Sequence, residues 1–285
     1  MQSRSIGIFL AFLCSALTGA AALAQPTALS FGVVSQRSPV LTAQYWNPIL
    51  RYVSRISGVP LQLKLARSGG EHAAMVSRGE FDFLYSNHNF TAESAAVGYT
   101  VFARPLGSVL RGQLVVAANS PLQSVTDLQG KTVAFPSAMA FAGYRVPMDA
   151  LLRAGIRVVP QFAANQEGAL GQLASGRVQA VGINAEVGRN FTTREKFTYR
   201  VLWSSEDYPS IPLSAHPRVT PAQRDAVRDA FINMARDPDG LRILTQSAAL
   251  IGAGAPYGFV IADQNDYDST RRLYRNGLTQ QEMRP

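Results

Sequence analysis

The sequence has one cysteine, Cys14, among 285 residues, and it lies inside an apolar run near the N-terminus. Once that run is removed no thiol is left, which excludes a disulfide framework, a zinc–thiolate centre and a cysteine nucleophile. Lysine is nearly missing as well. Of 27 basic residues only Lys64, Lys131 and Lys196 are lysines, and the arginines are spread along the whole chain. No basic tract of nucleic-acid type stands out. Histidine occurs three times, as His72, His88 and His216, too few to furnish most hydrolytic or metal enzymes. Also absent are G-x-S-x-G, H-E-x-x-H, a P-loop, G-x-G-x-x-G and an EF-hand loop. Beyond the N-terminal segment no run is long and apolar enough to span a bilayer.

What is present is a globular composition, 47% hydrophobic and 16% charged with a formal net charge of +8. Disordered tails, collagen and coiled coils do not have that composition. Arg4 is the only charge between Met1 and Ala24; an apolar run from Ile6 to Leu17 follows it, and small residues end in Ala22-Leu23-Ala24. This predicts a secretory signal peptide over 1–24, cleaved after Ala24. A soluble periplasmic product is expected.

From Leu29 onward, strand and helix patterns alternate. Leu29, Phe31 and Val33 have period two; Trp46, Ile49, Val53 and Ile56 have helical spacing, and Gly58 closes that helix. Leu61, Leu63 and Leu65 predict a second strand, Ala73 to Val76 a short helix, and Glu80 to Tyr85 a third strand. The same order restarts after Arg111-Gly112 with strands at 113–118, 131–135, 158–162 and 178–183. This predicts two α/β lobes with mostly parallel sheets. A polar stretch from Ser204 to Pro217 predicts a return crossing, and Thr220-Pro221-Ala222-Gln223 is a helix start. The C-terminal helices are expected to pack back on the first lobe.

Open α/β sheets bind ligands beyond the carboxyl ends of their strands. The residues there are Ser35, Gln36, Arg37, Arg67, Tyr85, Asn87 and His88 in the first lobe, and Ser137, Phe141, Gln166, Asn184 and Glu186 in the second. Arg37 and Arg67 have two uses open to them, an anionic solute or acidic side chains on the same rim. His88 either touches ligand or caps the helix that follows. Tyr45 and Trp46 read as a helix start packed on the core, with one of them at the cleft edge; His72 reads as a solvated first-turn residue and His216 as loop. No catalytic residue, metal ligand or cofactor is expected.

Several motifs occur in an ordered series: Gly32-Val33-Val34-Ser35, Tyr45-Trp46-x-Pro48, Phe81-Asp82-Phe83-Leu84-Tyr85-Ser86-Asn87, Gly143-Tyr144-x-Val146-Pro147, Asn184-x-Glu186 and Val201-Leu202-Trp203-Ser204-Ser205. From about Leu29 to Phe231 the chain resembles the phosphonate/phosphite class of periplasmic substrate-binding proteins of ABC importers. The resemblance implies a two-lobed periplasmic binding protein with two crossover strands, each lobe a mixed, mostly parallel sheet flanked by helices. Lobe 1 is then 25–111 with 211–285, and lobe 2 is 112–210. It implies a monomeric receptor that closes on a small-molecule solute and hands it to an ABC transporter permease, without nucleic acid. Tyr85 and Glu186 match ligand-facing positions of that family. Its Ser-Thr-Ser triplet is replaced here by Ala140-Phe141-Ala142, and its histidine by Gln166, so an altered oxyanion site is expected. The alternatives are a ligand-sensing subunit for a membrane sensor kinase and, third, an enzyme on the same fold.

Overall fold

The computed structural model describes residues 27–34 and 36–278. The signal-peptide segment with its cleavage point, and Ser35, lie outside these residues.

The first strand, β1 (Leu29–Val33), buries Phe31 and Val33. Its Gly32 faces the Phe81 ring, where a Cβ would stand 2.5 Å from a ring carbon. Helix α1 (Pro39–Ser57) starts at Ser38, whose Oγ accepts the Leu41 N–H, and stops at Gly58 with φ of 69°. Its inner face carries Trp46, Ile49, Leu50 and Val53 into the lobe 1 core. The order then runs β2 (Leu61–Lys64), α2 (Gly69–Ser77), β3 (Phe83–Tyr85), α3 (Ala92–Ala95), β4 (Thr100–Pro105) and the short crossing strand β5 (Val109–Leu110).

The second sheet is built from β6 (Gly112–Ala117), β7 (Thr132–Phe135), β8 (Val159–Phe162), β9 (Ala180–Asn184) and β10 (Tyr199–Ser204). Between them lie a π-helical turn over Phe141–Arg145, α4 (Val146–Arg153), α5 (Gln166–Ala174) and α6 (Ala185–Glu195). The chain crosses back through β11 (Tyr208–Pro209) into β12 (Leu213–Ala215). It then forms α7 (Pro221–Asn233), α8 (Pro238–Leu250), β13 (Phe259–Ile261) and α9 (Asp268–Asn276). The expected capping box at Thr220 is formed with Gln223. Helices α7 and α8 pack on α1, so this part of the C-terminal region returns to the first lobe.

The strand orders are β13-β4-β12-β3-β1-β2 and β10-β6-β9-β7-β8. Both sheets are mixed. Pairing is parallel only within β2-β1-β3 and β8-β7-β9, and the other neighbours are antiparallel. The antiparallel half of the first sheet exists because β12, arriving from the far side of the crossing, inserts between β3 and β4. The two crossings pair with each other, Leu110 opposite Tyr208 and Val109 opposite Pro209. A separate apolar cluster surrounds that ladder, with Leu110, Tyr208 and Ile211 against Phe141 of lobe 2 and Tyr267 and Tyr274 of the C-terminal segment.

Candidate ligand-binding cleft

The carboxyl ends of β1 and β3 face those of β7 and β9 across the hinge. One compartment between them encloses about 40 Å³, room for a water or two. Three helices from both lobes begin on it: α2 with Gly69, α5 with Gln166 and α6 with its cap Asn184. Each start is locally fixed. Ser68 Oγ accepts the Glu71 N–H at 3.1 Å, Asn165 Oδ1 accepts that of Gly168 at 2.8 Å, and Asn184 Oδ1 accepts that of Glu186 at 3.0 Å. Helix starts carry positive partial charge, so their convergence favours an anion.

Among the described residues, those lining this compartment include no carboxylate, lysine or arginine. Its polar groups are those of Gln36, Asn87, His88, Ser137, Gln166 and Asn184. Gln166 Oε1 accepts the Asn184 N–H at 3.0 Å, and Gly143 leaves the space, since a Cβ there would stand 2.7 Å from Gln166 Nε2. His88 Nε2 lies 3.0 Å from the Met139 carbonyl, so this nitrogen carries the proton and bonds lobe 1 to lobe 2. Burial, aided by the Arg145 charge, pushes the His88 pKa down to about 4, and the ring is neutral. Phe141 forms wall and hinge together, its ring 5.1 Å from Tyr208 and 5.2 Å from Tyr274.

A second compartment of about 70 Å³ shares Gln36, Leu110, Asn184 and Ile211 with the first and adds charge. It is lined by Arg37, Tyr45, Trp46, Tyr85, Ser108 and Glu186 among others. The Ser108 hydroxyl donates to Glu186, which places a carboxylate between the crossing segment and lobe 2. Arg37 Nε stands 3.4 Å from Glu167 Oε1, and that carboxylate also receives Arg194 at 2.8 Å. Burial raises the Tyr45 phenol to about 12, with Arg37 opposing and Glu186 adding to the rise. Tyr85 is raised well above its ordinary value by burial and then by the Glu186 charge. Both phenols are therefore neutral donors, and with Trp46, 4.8 Å from the Tyr85 ring and 5.4 Å from that of Tyr45, they make an aromatic wall.

The structure thus brings Gln36, Arg37, Tyr85, Asn87, His88, Ser137, Phe141, Gln166, Asn184 and Glu186 onto one cleft. Arg67 is not among them. Its backbone N–H and its guanidinium both engage Glu71, four residues on, and this turns the side chain outward to 93% exposure. His72, expected in solvent, is instead fully buried, 5.3 Å from the Phe81 ring and 5.4 Å from that of His88, because α2 turns this face onto the sheet. His216 lies in the loop after β12, where its Nδ1 accepts the Arg218 N–H. Both Tyr45 and Trp46 reach the cleft. Sequence reasoning missed Ser108 and Leu110, which lie with Ile211 on the crossing segments and meet the cleft through topology. The nearest local signal is Gly107-Ser108 between two strands. Among the described residues no group of three His, Cys, Asp or Glu is placed to hold a metal ion, and no helix is long and apolar enough to cross a membrane.

A family model described as the periplasmic substrate-binding protein of a phosphonate ABC transporter matches residues 31–267. Among solved structures, a binding protein component of an ABC phosphonate transporter (PA3383) from Pseudomonas aeruginosa is 18% identical, with a TM-score of 0.74 over 89% of this chain and 86% of that one. PhnD1 from Prochlorococcus marinus, solved in complex with methylphosphonate, is 16% identical, with a TM-score of 0.76 over 88% of this chain and 98% of that one. XAC2383 from Xanthomonas citri, bound to chloride ion, is 18% identical, with a TM-score of 0.65 over 90% of this chain and 98% of that one. No curated protein sequence matches.

Proposed function

The chain belongs to the phosphonate family of periplasmic substrate-binding proteins of ABC transporters, and from that membership we propose that it is an importer receptor that closes on a small oxyanionic solute. Proteins of this family work in the periplasm, bind small molecules and pass them to permeases. Here the lobes are 25–111 with 211–285 and 112–210, the signal segment is cleaved after Ala24, and the receptor acts as a monomer. One observation carries the reading: a compartment without a charged side chain on which helices from both lobes begin. The negative charge is then brought by the solute and held by amide, hydroxyl and N–H donors, and this holding works only when the lobes are together.

The oxyanion site is altered relative to the phosphonate binders that the sequence resembles. Ala140-Phe141-Ala142 supplies no hydroxyl, leaving Ser137, Asn87, Gln166 and the helix starts as donors. Glu186, with Tyr45 and Tyr85, faces the substituent that the anion carries. The protein breaks no bond; His88, the histidine on the cavity, commits Nε2 to a backbone carbonyl.

A thermal-shift screen of the chain from Gln25 tests this with phosphonates, phosphite, phosphate, sulfonates, amino acids and polyamines. A solute at 100 times its Kd adds about 2.7 kcal/mol. A shift by oxyanions is expected, and Glu186→Gln should weaken it only for those whose substituent carries an amine or hydroxyl; a shift by polyamines alone would overturn the reading.

A further inference from the structure

The cleft continues past Glu186. Tyr45, Trp46, Tyr85, Pro105, Ser108, Glu186 and Ile251, which wall the second compartment, also wall a third of about 90 Å³. Its remaining wall changes character, with Leu244 and Ala248 of α8, Pro256 and Tyr257 of the following loop and Phe259 of β13. Leu244, Ala248, Ile251 and Phe259 are all buried. Gly258, at a φ of 116°, turns the chain between Tyr257 and Phe259, a conformation open to glycine and to few others.

Shared walls order the three compartments along one line. Neutral donors and helix starts come first, a carboxylate and phenols second, and last a space where the far side of that same carboxylate and phenol wall is met by aliphatic and aromatic side chains. A free inorganic anion would occupy only the first. Building on the oxyanion reading above, we propose that the solute is a phosphonate bearing an extended apolar substituent, an alkyl chain or aryl ring that passes Glu186 and lodges against Ile251, Tyr257 and Phe259. The compartment with no charged side chain holds the head by hydrogen bonds, and burial of the substituent provides the discrimination. Glu186 sits beside the substituent where an amine or hydroxyl near the head would find an acceptor.

Calorimetric titration of the chain from Gln25 with inorganic phosphate and with methyl-, butyl-, hexyl- and phenylphosphonate tests the proposal. Affinity should climb about threefold to fourfold per methylene until the third compartment is filled, with phosphate weakest. Ala253→Phe, at the half-exposed rim of that compartment, should cut the advantage of hexyl- over methylphosphonate by about tenfold. A flat or falling trend with chain length, while methylphosphonate binds, overturns this inference and leaves the receptor reading in place. No binding by any member, with the protein shown folded by its melting curve, overturns the oxyanion reading and the inference with it.

Discussion

His88 and His72 are two imidazoles in contact, buried in lobe 1, the first on the wall of the cleft and the second behind it. Folding makes both harder to protonate. Burial and the Arg145 charge take His88 from 6.5 to about 4, while burial and then His88 take His72 well below the same starting value. Between these values the unfolded chain binds protons that the folded chain refuses. Stability therefore falls as pH drops from about 6.5 towards 4 and is insensitive to these two groups above that window. The His88 shift alone corresponds to a loss on the order of 3 kcal/mol across it. Urea denaturation at stepped pH should show this slope. His88→Gln, which keeps an N–H for the Met139 carbonyl but does not titrate, should make it shallower and leave the His72 part; an unchanged slope would refute the assignment. Its place after the third predicted strand marked His88 for the cleft, whereas the burial of His72 depended on which face α2 turns to the sheet.

The start of α2 shows how closely the lobes approach. A Cβ built on Gly69 would stand 2.6 Å from Ser137 Oγ and 3.1 Å from Ser137 Cβ, on the opposite rim. With the lobes apart nothing opposes it, so Gly69→Val should cost the free protein no more than the closing contacts add, a small drop in melting temperature. Solute affinity should drop about tenfold, the cost of a modest steric overlap felt only on closure. Calorimetry beside a melting curve separates the two effects, and a variant that melts early yet binds normally would count against the contact. Several elements were legible from local rules: β1 from its alternation, α1 from its spacing and Gly58, and α7 from its capping box. Strands β4 and β12 were not. Each is buried with neighbours on both sides, so its residues do not alternate, and β12 has only three residues. Helix α6 was missed because Asn184-Ala185-Glu186 reads equally well as a loop, and only the Asn184 cap makes it a helix start.

At the scale of the molecule, several side-chain contacts span the lobes and crossings, the Leu278 N–H to Asp149 and Arg111 to Asp207 among them, and three of these border the cleft. Arg37 meets Glu167, His88 meets the Met139 carbonyl and Ser108 meets Glu186. They hold the closed form before any solute adds to it. Arg37→Ala removes one without orphaning Glu167, which keeps Arg194 at 2.8 Å. With both partners of the lost pair only about a tenth exposed, the closed population should fall about fivefold, near 1 kcal/mol. Small-angle scattering should then give a larger radius of gyration for the free variant than for the free wild type, and equal radii for both would contradict the latch. The two-lobe plan was readable because its halves repeat one strand and helix grammar. The cleft was readable in part because strand ends must face it. What crosses between the halves was not, since Ser108 and Leu110 owe their place to the crossing and not to any pattern of their own.

The antiparallel ladder of Val109 and Leu110 with Pro209 and Tyr208 also limits how the lobes can travel. Two separate tethers would permit bending, shearing and twisting independently, whereas two tethers hydrogen-bonded to each other resist shear and leave rotation about a line across the ladder as the soft mode. The motion then has a single coordinate. One pair of fluorophores, one on each lobe, would follow the whole cycle of capture and release, and every solute that closes the cleft should move that distance along the same curve.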